Sequence, residues 1–301
     1  MHRTLFILIL NFCILLLFAI GCRKGDPPGS AAQAGKNYTR IISLAPSITE
    51  TLFALGLGDR IIGVTKFCKY PPEARKKAQV GGFFDPNYEA VVTLKPDLVI
   101  LLPEHEQARK YLENLGIATL VVHNRVISEI LETITVIGKT CGAEKEAEKI
   151  VRDIRKRIDV VKKKTAGLTK KRVMVSVGRT AGSLDRITIA GQNTFYDELI
   201  ALAGGTNAYR GYPIPYPEVS GEGMLRLDPE IILDLLPELA VQGHSKAAAK
   251  SDWNKIHELS AVKNRRVYVL TADYAVIPGP RFIQTLEEMA RIIHPEAEKK
   301  K

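Results

Sequence analysis

Two stretches of this 301-residue chain repeat one phrase: residues 89–100 read EAVVTLKPDLVI and residues 222–233 read EGMLRLDPEIIL. Each has a glutamate, a leucine five residues on, a proline followed by an acid, and then an apolar run. Pro96 and Pro229 end a short helix, because proline cannot donate the helical hydrogen bond and its ring crowds the preceding turn. The β-branched runs that follow have the length and composition of buried strands. A chain that spells helix, stop and strand twice, far apart, predicts two units built on one plan. The length agrees, since about 300 residues is roughly twice the usual domain size and supports two cores. Glu89 and Glu222 stand outside this logic, because packing asks for no carboxylate on an exposed surface. A glutamate in a helix's first turn does favour the helix dipole, which is the purely structural account of both.

The rest of the chain supports an α/β fold of two similar Rossmann-like lobes. RIISLAPSITETLFALGLGDRIIGVT reads as a strand, a turn at Pro46, a helix from Ser47 that ends in glycines, and a second strand. PDLVILL and ATLVVH continue the alternation around the helix EQARKYLENLG, which predicts a largely parallel sheet in the first lobe. The second lobe repeats this plan with KRVMVSVG, the helix TFYDELIALAGG, PEIILDLL, RRVYVLT and a final helix over 281–293. Between them CGAEKEAEKIVRDIRKRIDVVKKKTAG predicts one helix over 143–164, about 33 Å long at 1.5 Å per residue. A single rod joining two lobes, with the ligand cleft between them, allows only small closure angles.

The N-terminus addresses the chain outside the cytoplasm. MHR is a short basic lead, TLFILILNFCILLLFAI is a 17-residue apolar core, and small Gly21 precedes Cys22. AIGC resembles the lipobox of bacterial lipoproteins, in which Cys22 would become the lipid-bearing first residue. An uncleaved membrane anchor is the competing reading, since the run approaches spanning length. The division that follows is a lipoprotein signal peptide over 1–21, a tether over 22–37, the first lobe over 38–140, the linking helix over 141–166 and the second lobe over 167–301. With Cys13 in the leader and Cys22 assigned to lipid, Cys68 and Cys141 remain, and the sequence leaves open whether they pair.

The net charge of +10 does not point to nucleic acid. The basic excess lies in VKKKTAGLTKKR and the terminal EKKK, which read as solvated helix ends, and no stretch interleaves basic with aromatic residues. Neither GRTAGS nor GGTNAYRG matches a phosphate loop, and no serine sits in a nucleophile elbow, so no enzyme is expected. His105, His123, His244, His257 and His294 show no paired ligand spacing, so no direct metal site is expected. His294, in IIHPE at a helix end, reads as a capping or packing residue. His105 and His244 lie in loops from which they could reach a cleft, as polar contacts or as axial ligands to a chelated metal.

From residue 40 to 294 the chain resembles the substrate-binding proteins of ABC importers that carry cobalamin, ferric siderophores or haem, in which one backbone helix connects two α/β lobes. The resemblance rests on RIISLAPSITETLFALGLGDRIIGVT, YPPEARKKAQVGG, LKPDLVI, FYDELIALAGGTNAY, YPEVSGEGML and GPRFIQTLEEMARIIHPE, in that order. The YPP segment and PYPEVS are most similar to the periplasmic cobalamin-binding members. The resemblance implies a monomeric, lipid-anchored extracytoplasmic receptor without catalysis or cofactor of its own. Its ligand would be a cobalt or iron chelate, with corrinoid ahead of ferric siderophore and haem. Its partner would be an ABC permease dimer with its ATPase, and the matching positions Glu89 and Glu222 would dock on permease arginines. A two-fold partner presents the same basic pocket twice, so a pseudo-symmetric binder answers with twin carboxylates. A chelate-holding scaffold or adhesin lipoprotein with no transporter is the alternative of a different class.

The ligand is expected between the lobes, on loops at the strand ends. In lobe one these loops carry Ala45, Pro46 and Ser47, then Cys68 and Tyr70, then Phe83 and Phe84. In lobe two they carry Arg179, the aromatics Tyr212 and Tyr216, and Tyr274 with Arg281. Aromatic faces hold flat conjugated ligands, while arginine and backbone donors hold their polar peripheries. Phe83 or Phe84 could instead belong to the core, and Tyr212 and Tyr216 could simply brace a proline-rich loop.

Overall fold

The computed structural model describes residues 32, 36–211 and 213–298, so the leader, Cys22 and Tyr212 lie outside the described residues. Lobe one runs β1 (Ile41–Ser43), α1 (Pro46–Ala54), β2 (Ile61–Val64), β3 (Ala78–Gln79), α2 (Tyr88–Thr93), β4 (Leu98–Leu101), α3 (Glu106–Asn114), β5 (Thr119–Val121) and α4 (Ile127–Cys141). Its sheet is parallel throughout, in the order β3-β2-β1-β4-β5. The central strands IIS and LVIL are buried at every position, as a sheet covered by helices on both faces requires. The strand order reverses between β1 and β4. The carboxyl ends at that reversal leave a crevice where α/β sheets bind ligands.

The linking helix is α5 (Glu144–Thr165), 22 residues long. It is preceded by α4, which the sequence reading did not single out. Gly142, at φ 71°, makes the left-handed turn between the two helices. The helices meet at Gly138, where an added Cβ would lie 2.5 Å from the Cβ of Ala147 and 3.0 Å from the carbonyl oxygen of Ala143. Glycine is the residue that lets this hairpin close.

Lobe two runs β6 (Arg172–Gly178), β7 (Ile187–Ile189), α6 (Phe195–Leu202), β8 (Thr206–Asn207), β9 (Glu218–Val219), α7 (Gly221–Leu227), β10 (Ile231–Leu235), α8 (Lys246–Asp252), α9 (Ser260–Lys263), β11 (Val267–Leu270) and α10 (Phe282–Ile293). Its sheet is ordered β11-β10-β6-β7-β9, with β8 also on β6. Here the lobe departs from a simple repeat of the first, because β7 and β9 run antiparallel. The segment 179–186 between β6 and β7 is too short for the dozen or more residues of a parallel crossover, so the chain turns straight back.

The repeated phrase has a shared structural purpose. Lys95 and Asp228, each just before its proline, take left-handed conformations with φ of 48° and 36°. In lobe one Arg40 donates to the carbonyls of Leu94 and Lys95 at the end of α2, and its amide donates to Asp97 Oδ1 at 3.0 Å. In lobe two Arg172 donates to the carbonyl of Leu227 at 2.9 Å, and its amide to Glu230 Oε2 at 2.9 Å. An arginine at the start of each first strand thus closes the helix end, and the acid after each proline secures that strand's amide. These pairings satisfy groups that a helix terminus otherwise leaves without partners.

Cys68 and Cys141 are both buried and free. Cys68 packs between the hydroxyls of Thr49 and Thr65, and Cys141, in the last turn of α4, offers its carbonyl to Arg60. His294 is fully buried between the carbonyl of Gly204 and Glu296, a packing residue. Among the described residues no helix is long and apolar enough to cross a membrane.

The Gly138 contact yields a direct test. Gly138→Ala overfills the α4–α5 hairpin and should lower unfolding free energy by about 1–3 kcal/mol in urea denaturation. Lys139→Ala, one residue on at an exposed position, should leave it unchanged.

Candidate functional site

A cleft of about 570 Å³ lies between the lobes. Lobe one contributes Glu104 beyond β4 and Asn124 and Arg125 beyond β5, while lobe two contributes Asn193, Thr194, Phe195, Tyr196, Pro215 and Tyr216. Val177 at the end of β6 and Val276 with Pro278 complete the apolar part of the wall. Phe195 and Tyr196, both buried, line the cleft from the first turn of α6, which is capped by the Thr194 hydroxyl accepting from the Asp197 amide. Tyr196 donates its hydroxyl to the carbonyl of Ala275, so the ring is fixed in place. Burial pushes the phenols of Tyr196 and Tyr216 above their usual range, and both are neutral hydrogen-bonding groups at neutral pH. Asn124 donates to the Ser47 hydroxyl at 3.1 Å, linking the end of β5 to the start of α1.

The residues expected at the site have varied placements. Tyr216 lines the cleft and is about half exposed. Ala45 and Ser47 are buried at the start of α1, and Pro46 is half-buried at its first position. Phe84 is 83% exposed, while Phe83 packs against the first-lobe core and meets Phe84 and His105 edge-on. Tyr212 falls outside the described residues.

Four expectations need correction. Arg179 does not reach the cleft: its side chain is fully buried, donating to Asp234 and Asp252 at 2.9 Å and to the carbonyl of Ala249. Trp253 donates to the same Asp234 carboxylate. Burial alone would depress the Arg179 guanidinium, but the two aspartates outweigh it and raise its pKa. Tyr274 turns its hydroxyl to Glu288 on α10. His105 is buried, accepting the Leu102 amide at Nδ1 and pairing Nε2 with the Phe83 carbonyl at 2.7 Å. Burial lowers its pKa, and with both nitrogens committed it cannot be an axial ligand. Arg281 is bound to Glu50 and Asp273 and so presents no free cation to a ligand. His244 sits in an exposed loop.

Glu89 and Glu222 occupy equivalent places. Asn87 caps α2 by accepting from Ala90 N–H, Ser220 caps α7 by accepting from Gly223 N–H, and each glutamate is the second residue after its cap. Both are exposed, and Glu222 pairs with Arg226 at 2.6 Å on its own helix. The lining residues Asn124, Arg125 and Asn193 were not anticipated. Asn124 and Arg125 directly follow the strand run ATLVVH, so their strand-end position is legible in the sequence.

A model of the periplasmic binding protein family matches residues 41–274. The uncharacterized ABC transporter substrate-binding lipoprotein YvrC of Bacillus subtilis is 33% identical over 271 residues, covering 87% of this chain and 82% of its own. The Vitamin B12-binding protein of Vibrio cholerae is 32% identical over 252 residues, covering 83% of this chain and 87% of its own. The crystal structure of the periplasmic Vitamin B12 binding protein BtuF of Vibrio cholerae superposes with a TM-score of 0.72 at 30% identity, covering 87% of this chain and 99% of that chain.

The placement of Arg179 makes a stability prediction where a binding role had been expected. Arg179→Met strands the Asp234 carboxylate in the lobe-two core and should cost about 3–5 kcal/mol in chemical denaturation. Full stability with lost ligand affinity would return the residue to the site.

Proposed function

This chain belongs to the periplasmic binding protein family, and we propose that it captures a metal chelate, a corrinoid foremost, for delivery to an ABC permease. It is the solute-binding component of such a transporter. The observation that carries the chelate reading is the interlobe cleft, lined by the half-exposed Tyr216 and the buried Phe195 and Tyr196, with Asn124 and Asn193 beside them. Ring surface suits a flat macrocycle, and a few placed polar groups fix its orientation. The electrostatics favour an amide-bearing periphery over a carboxylated one. Arg179 and Arg281 are both consumed in internal ion pairs, which leaves Arg125 as the guanidinium among the lining residues. His105 offers no free nitrogen for axial coordination, a demand that haem makes more often than a corrinoid carrying its own axial ligands. Ferric siderophore is the second reading, and haem the third.

Lipidation at Cys22 would hold the protein on the outer side of a membrane. Glu89 and Glu222, two residues beyond equivalent caps in equivalent lobes, would meet arginines of a two-fold permease.

Titration calorimetry of the chain from Tyr38 onward, against cyanocobalamin, cobinamide, ferric siderophores and haemin, tests the ligand. One-to-one binding with a corrinoid tightest is expected, and silence across the panel overturns the chelate reading. Glu89→Arg and Glu222→Arg should each impair uptake, and together nearly abolish it, while ligand affinity stays unchanged. Removing one partner of such a pair costs about 2–5 kcal/mol, so docking should weaken by roughly thirtyfold or more. Full transport by the doubly reversed protein would reassign the glutamates to helix initiation and favour a receptor with no permease.

A further inference from the structure

A nearly buried ion pair joins the lobes. Arg281, just before α10 in lobe two, places Nε 2.9 Å from Glu50 Oε2 and sets Nη2 on Glu50 Oε1, reaching α1 of lobe one. The two side chains are 12% and 3% exposed. Asp273 of lobe two accepts from Nη1 at 2.9 Å, and the Tyr70 ring of lobe one lies 3.7 Å from the guanidinium. The loop that carries Arg281 presses on the same helix, since a Cβ added at Gly279 would stand 3.3 Å from Ser47 Cα and 3.5 Å from Glu50 Oε2. A further interlobe ion pair, Lys69 with Glu238 at 3.3 Å, is half exposed at both ends and carries little.

We propose that Glu50 is a positioning residue, whose two-point grip on Arg281 under Tyr70 sets the width of the cleft before any ligand arrives. Helix α5 alone would let the lobes rock about its ends. A bidentate arginine–carboxylate pair is planar and fixes direction as well as distance, so it adds a directional attachment beside the bond that the Ile127 amide of lobe one donates to Glu198 Oε2 of lobe two at 2.6 Å. Val276 and Pro278 of the cleft wall lie on the clasped segment, so the pair also decides where that wall stands. The pair is nearly buried beside the Tyr70 ring and the loop at Gly279, and a low local dielectric strengthens it. This holds whichever chelate the cleft takes, so its test uses no ligand.

Hydrogen exchange of the full chain, followed by mass spectrometry, separates a local clasp from general stability. In Glu50→Gln, amides at the start of α1 and in residues 275–281 should exchange at least about tenfold faster, while β4 and β10 keep wild-type rates. Tyr70→Ala, at a half-exposed position that the core does not need, should show the same local pattern more weakly. Wild-type exchange in both single variants, or a rise spread evenly over both sheets, overturns the proposal.

Discussion

A 22-residue α-helix whose interior amides are all paired along its own backbone leaves no soft joint in the middle of this protein. Helix α5 is held near its start by α4 through the Gly138 contact and in its second half by α10 through the Arg157–Glu287 pair, with Nη2–Oε2 at 2.8 Å. Everything in the cleft is therefore referred to one stiff element. The lobes can adjust only through small rotations, and side chains that bridge them have large effects on cleft shape. A receptor built this way recognises its ligand through a largely preformed cavity, which lowers the ordering cost of binding.

The arginines show how placement decides chemistry. Arg179 and Arg281 both follow strands at the cleft side of lobe two, yet neither is free. Arg179 is wholly inside the lobe between two aspartates, and Arg281 is between the lobes against Glu50 and Asp273. A buried guanidinium needs compensating carboxylates, and once these are supplied it has little left for a ligand. Burial pushes the Glu50 carboxyl up while Arg281 pulls it down, so the pair depends on its partners staying in register. Beside Glu104 and Arg125 the cleft is lined by amides, phenols and apolar side chains, a set that recognises shape and hydrogen-bonding pattern as well as charge.

The twin phrases show one solution used twice. In each lobe a capped helix turn carries an exposed glutamate, and a proline ends the turn. An arginine from the first strand then closes the carbonyl end. The acid after each proline has a folding task, since it takes the amide of that arginine. The glutamate before each leucine has none visible within the lobe fold: Glu89 stands exposed, and Glu222 only meets a neighbour on its own helix. Within one phrase, then, one acid serves the fold and the other faces outward.

The two-lobed α/β architecture, the linking helix over 143–164 and the parallel first sheet were legible in the residues, because periodicity, prolines and glycines act locally. The antiparallel turn of β7 was missed, since a short connector announces its direction only through loop length. Of the site, Tyr216 and the strand-end location were legible. By itself the sequence determined which segments become helix or strand and that the chain repeats itself, as these follow from patterns within a few residues. Tertiary structure alone decided that Arg179 is buried, that His105 has both nitrogens engaged and that Arg281 crosses to Glu50. Charge pairing depends on distances across segments 55 to 231 residues apart, and no local pattern encodes which carboxylate an arginine will meet.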